Sequence, residues 1–355
     1  MGIAISRFYK QEKLTFDCEI ITPMFLGNAS QEAELRAAPF KGLLRYWWRV
    51  AEGHRFKAGE HKKMLKEENR IFGSPDEEGG GKSRVTVEVE SVTGLIPQKN
   101  AFSSPGKVDH PECEKSKYKT ELLNYLAGMG LIHFRKGIQH SYFNNGEIFK
   151  LSVTASHDVM TELNNALKIM GLFASIGSRS RNGWGCFHLD ENGPKVSCST
   201  ISFTEAMDRD YPHCLGHDSH GLLFWGTKQT FDKWEKCMKS LADIYISVRA
   251  GSRAKNIPAI NVKSGSIPDR HALGYPVTNH SVSKTNWKNT GRHGSALRLL
   301  VKKLNNGYHG YFLHLPHLFS KDMWPDGKNQ QIKVWRQVHK SLDSMCLRAN
   351  LQEGR

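Results

Sequence analysis

Long apolar runs are missing. Nowhere in the 355 residues do about 18 apolar side chains follow one another, so the sequence offers no transmembrane helix. Cysteine is sparse and without pattern. The seven cysteines, at 18, 113, 186, 198, 214, 237 and 346, contain no Cys-x-x-Cys pair. Their scatter and odd number exclude a zinc ribbon and a disulfide scaffold, and they are expected to be reduced thiols of a cytoplasmic protein. The N-terminal run MGIAISRFYKQEKLTF lacks the apolar core and small-residue cleavage site of a secretory signal. It fits the Met-Gly-x-x-x-Ser pattern for myristoylation, which is short enough to arise by chance. Acidic residues are in deficit, with 35 Asp and Glu against 50 Lys and Arg, a formal charge of +15. That imbalance favours a polyanionic partner, either nucleic acid or an anionic membrane face.

Alternation and turn signals predict strands over 14–21, 84–93, 148–155 and 185–189, with helices over about 15 residues from Pro39 and over 159–176. Residues 59–72 form a second short helix, and residues 94–146 a long polar insertion with one helical piece near 120–129. Strand, helix, strand, strand, helix, strand is the split βαβ order of ferredoxin-like and RRM-like modules. The second half reads as a degenerate copy, with strands over 221–225, 297–304 and 308–315 and helices over 231–248 and 332–347. A loop at 250–296 exceeds ordinary connection lengths. The expected fold class is α+β: two ferredoxin-like domains, 1–200 and 201–355, carrying long insertions.

Two constellations carry chemistry. Lys41, Arg45 and Arg49 fall at i, i+4 and i+8 of the first helix, one cationic stripe, while Leu43, Tyr46, Trp47 and Val50 take an apolar face. Like charges four apart weaken an isolated helix, so a compensating partner is expected. The stripe is either an anion track or a solvated basic face. The second constellation is Gly177-Ser178-Arg179-Ser180-Arg181-Asn182-Gly183-Trp184-Gly185, between a helix and a strand. Its glycines permit positive φ, and its amides and two arginines can surround phosphates. Trp184 could stack on a base or pack under the loop, and the glycines could instead cap the preceding helix.

Other patterns are weaker. Gly81-Lys82-Ser83 ends like a P-loop, but Asp76 stands where a glycine is required and a strand follows. His213, Cys214, His217 and His220 could form a zinc cluster or a histidine-rich surface loop. His157-Asp158 and His217-Asp218 lack partner ligands for metal phosphohydrolase chemistry. Glu32 and Glu34 could be a carboxylate pair, or a local partner for Arg36.

Residues 20–49, IITPMFLGNASQEAELRAAPFKGLLRYWWR, resemble the N-terminal motif of the RAMP superfamily of CRISPR proteins. The run Ala33-Glu-Leu-Arg36, followed by Lys41-Gly-Leu-Leu-Arg45-Tyr-Trp-Trp-Arg49, is similar to the subunit-one family of type III-B (Cmr) effector complexes. The loop at 177–185 resembles the RAMP signature loop, and residues 270–277 and 296–316 resemble that family's C-terminal half. Tyr46 stands where the family usually has Phe. The resemblance implies a non-catalytic subunit that binds guide RNA (crRNA) through Arg36, Lys41, Arg45, Arg49 and the loop residues 177–184. It further implies help in target RNA binding and a place at the 3′-end side of the complex, beside subunits four and six. No cofactor or metal is expected. The alternative is a metal-independent endoribonuclease on the same fold, with His133 or His140, beside Arg135 and Lys136, as general base.

Overall fold

The structure, a computed structural model, describes residues 10–75, 81–102, 106–108, 110–113, 121–128, 130–133, 135–189, 198–209, 211–260, 267–275, 293–319, 324 and 327–351. The N-terminal myristoylation pattern, Asp76 and part of the 250–296 loop, including 276–292, lie outside the described residues.

In the first half β1 (Gln11–Ile20) is followed by α1 (Ala37–Glu52), α2 (His61–Phe72) and β2 (Thr86–Ser91). Then come β3 (Ile148–Ser156), α3 (His157–Phe173) and β4 (Phe187–Leu189). The sheet order is β2-β3-β1-β4, all neighbours antiparallel. Alternation decides which face is buried. Phe16 and Cys18 lie opposite Leu151 and Phe149, with Val87 and Val89 continuing the apolar face on β2, while Leu14, opposite Val153, is exposed. The intervening positions are polar, with Thr15 bonded to Ser152 across the strands at 2.8 Å and Lys13 to Glu88 at 2.7 Å.

The second half repeats the plan with β5 (Phe224–Gly226), α4 (Trp234–Ala250), β6 (Leu297–Leu304), β7 (Gly307–His314), α5 (Lys328–Met345) and β8 (Leu347–Arg348). Its order is β6-β7-β5-β8, again antiparallel. Counted within each sheet, both orders run second, third, first, fourth. Two expectations need correction. The segment 221–225 is split: Gly221–Leu222 joins a small sheet with Thr200–Ser202 and Leu215–Asp218, and only Phe224–Gly226 enters the main sheet. Leu347, expected at the end of the last helix, is instead the start of a strand beside β5. Among the described residues no helix is long and apolar enough to cross a membrane.

The chain leaves β1 through Thr22, and this residue organises the seam between the halves. Its side chain is fully buried; Oγ1 donates to Gly183 O at 2.8 Å and accepts from Cys186 N at 2.9 Å. Cys186 Sγ in turn accepts from Val301 N of β6 at 3.4 Å. Replacing Thr22 by the near-isosteric Val leaves the buried Cys186 amide unpaired and Gly183 O with only the weak thiol donor of Cys186 Sγ at 3.5 Å. We expect Thr22→Val to lower unfolding free energy by about 1–3 kcal/mol, read from urea midpoints at constant m-value. An unchanged midpoint would show that the hydroxyl is dispensable.

Candidate nucleic-acid interface

The first helix buries Phe40, Leu44, Trp47, Trp48, Val50 and Ala51. Leu43 and Tyr46, expected in the core, are only partly buried. The larger rings decide the rotation. Phe40 packs 5.3 Å from Phe149 and 5.8 Å from Phe187, Trp47 packs 5.8 Å from Phe173, and Trp48 packs 6.4 Å from Phe72. Tyr46 is thereby left at the rim.

This rotation points Arg45 and Arg49 at α2. There Glu68, only 2% exposed, accepts from Arg45 Nε and Arg49 Nη1 through one oxygen, Oε1, at 2.7 Å each. Glu68 is the compensation that the like-charge stripe required. A signal for it was present in the sequence, because Met64, Glu68, Ile71 and Phe72 share one stripe of α2 and a carboxylate on an apolar stripe needs a partner. Lys41 has no hydrogen-bond or ion-pair partner among the described residues; burial, then the charge of Arg45, lowers its pKa. Arg36 is committed to its own loop, with Nη2 donating to Gly27 O at 2.8 Å and Nε 4.0 Å from Glu34. Glu32 accepts from Lys99 and Ser141.

The 177–185 loop is a strut with one exposed corner. The helix before it ends at Phe173 with Ala174 at φ −63°, so the glycines do not cap it. Gly177, at φ +89°, is required because a Cβ would lie 2.5 Å from Phe25 O. Gly183, at φ +86°, is buried, and a Cβ there would meet Met238 Sδ at 2.6 Å. Its glycine serves protein packing, which corrects its expected place among RNA contacts. Trp184 is corrected likewise. It is fully buried, with its ring 5.4 Å from Phe25, 5.5 Å from Phe102 and 5.9 Å from Trp234, and it presents no face to a base. The amides of Ser178, Asn182 and Gly185 donate to Phe25 O, Arg179 O and Pro23 O. Asn182 Nδ2 donates to Leu126 O at 2.9 Å, and Ser180 O accepts from Ser175 Oγ at 2.9 Å. Ser178 and Arg179 remain exposed, and Arg179 has φ +60°, a strained value for a residue with a Cβ. Arg181 reaches the other way: its carbonyl accepts from Leu299 N at 2.8 Å, and its Nη1 donates to Ser295 O at 3.3 Å.

Helix and loop meet at Tyr46. The Arg49 guanidinium lies 6.0 Å from the Tyr46 ring, and that of Arg298 lies 5.3 Å from both Tyr46 and Trp47. Burial, with Arg298 also opposing its charge, lowers the pKa of Arg181, while Tyr46 acts in the opposite sense. Arg298 lies in the 296–316 segment, where no spacing singles it out, and Glu68 is signalled only by its place on the apolar stripe of α2.

The weaker patterns resolve into local contacts. His157 pairs with Glu12 and Asp158 with Arg84, while Asp218 pairs with Arg348. His213 Nδ1 bonds to Tyr211 O and His217 Nδ1 to Thr200 Oγ1. Among the described residues no three His, Cys, Asp or Glu are grouped to hold a metal ion. His133 Nδ1 accepts from the amides of Arg135 and Lys136 at 3.1 and 3.2 Å.

The RAMP superfamily model matches residues 17–188, which run from β1 through the glycine-rich loop to β4. The CRISPR system Cmr subunit Cmr1-2 of Pyrococcus furiosus is 42% identical over 176 residues, covering 48% of this chain and 91% of that protein. The chain belongs to the RAMP superfamily, in its Cmr1 branch. Cmr1-1 of the same organism is 30% identical over 179 residues, covering 49% of this chain and 46% of that one, so this chain spans about half the length of that relative. The crystal structure of apo Cmr1 from Pyrococcus furiosus aligns with a TM-score of 0.46 at 18% identity, over 85% of this chain and 87% of that one. A chain of the type III-B Cmr-beta complex bound to cognate target RNA aligns with a TM-score of 0.48 at 13% identity, over 93% and 100%.

Glu68 holds two family-motif arginines at once. Glu68→Gln should destabilise the chain by about 1–3 kcal/mol, less than for a wholly buried pair because both arginines are about a third exposed. Denaturant titration measures this, and no loss would mean that the arginines find other partners.

Proposed function

We propose that this chain is a non-catalytic guide-RNA-binding subunit of a type III-B CRISPR (Cmr) effector complex. In this reading its two sheets are ferredoxin-like domains, residues 1–200 and 201–355, with insertions at 94–146 and 250–296. It caps the 3′-end side of the crRNA, helps hold target RNA, contacts subunits four and six, and works in the cytoplasm. The observation that carries the reading is the charge arrangement at the family motifs. Lys41, beside Arg45, and the exposed Arg179 stand without acidic partners among the described residues, and Arg49 and Arg298 gather at Tyr46. A chain of net charge +15 with such cations at its family motifs suits a phosphate backbone. Membership of a branch whose characterised relatives are named as Cmr subunits supports the choice of complex.

The expected contributions are unequal. Lys41 and Arg179 are free to meet phosphates, whereas Arg45 and Arg49 must share themselves with Glu68. For a single strand, log K varies with log salt with a slope of about −0.7 per phosphate neutralised. Lys41→Ala combined with Arg179→Ala should flatten the slope by about 1.4 and weaken binding at low salt, without loss of thermal stability. An unchanged slope would sink the assignment of these two residues.

Purified full chain should leave RNA intact with Mg²⁺, Mn²⁺ or EDTA. Specific cuts in EDTA that disappear in His133→Ala or His140→Ala would replace this reading with the metal-independent ribonuclease.

A further inference from the structure

Three arginines are buried among the described residues: Arg209, Arg270 and Arg298. Arg270 pairs with Glu112, and Arg209 lies 3.9 Å from Glu205 while donating to Gly53 O at 2.7 Å. Arg298, 4% exposed, has no carboxylate partner among the described residues. Its Nη2 donates to the neutral Ser175 Oγ at 3.0 Å, and its Nε is enclosed with no hydrogen-bond partner among the described residues. Beside it Arg181, half-buried, also lacks a carboxylate among the described residues, and its Nη1 donates to Ser295 O. Two guanidinium groups, one buried and one partly so, therefore stand close together with no anion among the described residues to balance them. The rings of Tyr46 and Trp47 under Arg298 attract a cation through their quadrupoles, which is not a counter-charge. Burial of an ion without a partner is tolerated where something outside the chain supplies one.

We propose that Arg181, Arg298 and Tyr46 form a seat for one phosphodiester of an RNA strand, in the seam between the glycine-rich loop and β6. Arg181 and the rim of Tyr46 stand at its open side, and Arg298 is its floor. The guanidinium forks suit the oxygens of a phosphate, and the Tyr46 hydroxyl, which has no partner among the described residues, can add a donor. The seat draws its cations from both halves of the chain, because Arg181 precedes β4 of the first sheet and Arg298 lies in β6 of the second. Bound RNA thus bridges the halves. This inference rests on the RNA-binding reading above and goes beyond it by naming a contact from the second half, outside the first helix and the glycine-rich loop.

The test uses the full chain and two variants, Arg298→Met and Arg181→Met with Arg298→Met. If Arg298 waits for an anion, Arg298→Met removes an unpaired buried charge, and its melting temperature without ligand should equal or exceed that of the unmodified chain. Inorganic phosphate and a single-stranded RNA oligonucleotide should each raise the melting temperature of the unmodified chain. Phosphate should fail to do so in either variant. The double variant should lose about 0.7 from the RNA salt slope, one phosphate's worth, with Lys41 and Arg179 untouched. A lower ligand-free melting temperature in Arg298→Met, with phosphate response and RNA slope retained, overturns the seat and makes Arg298 a packing element. In that case the RNA-binding reading survives if Lys41→Ala with Arg179→Ala still flattens the slope. If the unmodified chain binds no RNA, the reading and the RNA assignment of the seat fall together, and a phosphate response lost in the variants would then mark a site for free phosphate only.

Discussion

One buried hydroxyl ties the candidate interface to the scaffold. Thr22 receives the chain as it leaves the first strand and holds both ends of a turn, Gly183 O and Cys186 N, on a single side-chain oxygen. With Gly177 pressed against Phe25 O and Gly185 N donating to Pro23 O, the glycine-rich loop is bolted to the end of β1 along most of its length. The loop is thus a rigid strut, with Ser178 and Arg179 its most exposed residues. Rigidity matters for the reading given to the site, because a cation held in place loses less freedom when a phosphate arrives.

The same strut reaches the second sheet. Arg181 O accepts from Leu299 N, Cys186 Sγ accepts from Val301 N, and Arg298 donates to Ser175 just before the loop. Leu299 and Val301, alternate positions of β6, turn their main-chain amides to one edge of the strand, while Arg298 beside them contributes its side chain. The edge and one face of β6 are therefore both engaged by residues 175–186. Any movement of one half against the other would have to break these bonds, so the placement of Arg179 and Arg181 depends on packing far from the first helix.

Much of this was legible in sequence, and the failures share a cause. The period-two runs of β1, β2 and β3 and the long helices emerged from local patterns, because strand alternation and helical stripes are properties of neighbours in the chain. The cationic stripe at Lys41, Arg45 and Arg49 was legible for the same reason. Its neutralisation was signalled only indirectly, by a carboxylate on the apolar stripe of α2, since Glu68 lies 19 residues from Arg49 and belongs to another helix. Trp184 and Gly183 were misplaced because exposure of a loop residue depends on what packs above it. Here that cover comes from Phe102 and from Trp234 and Met238 of the second half. Gly221–Trp225 was read as one strand because nothing local reveals that Leu223 crosses between two sheets.

The distribution of charge follows from these placements. A net charge of +15 could be smeared over the whole surface, and much of it is: exposed lysines such as Lys13, Lys63 and Lys236 sit opposite glutamates or aspartates in pairs that contribute little. The region around Tyr46 differs in kind. There the acids run out after Glu68, leaving Lys41, Arg179, Arg181 and Arg298 without carboxylates among the described residues. Surface lysines can be exchanged for other polar residues at small cost, whereas guanidinium groups enclosed at a seam impose a standing electrostatic penalty on the unliganded fold. A penalty concentrated where two sheets, a helix and a rigid loop converge is better understood as a requirement of binding than of folding. The cations that meet there come from both halves of the chain, Arg181 from the loop before β4 and Arg298 from β6.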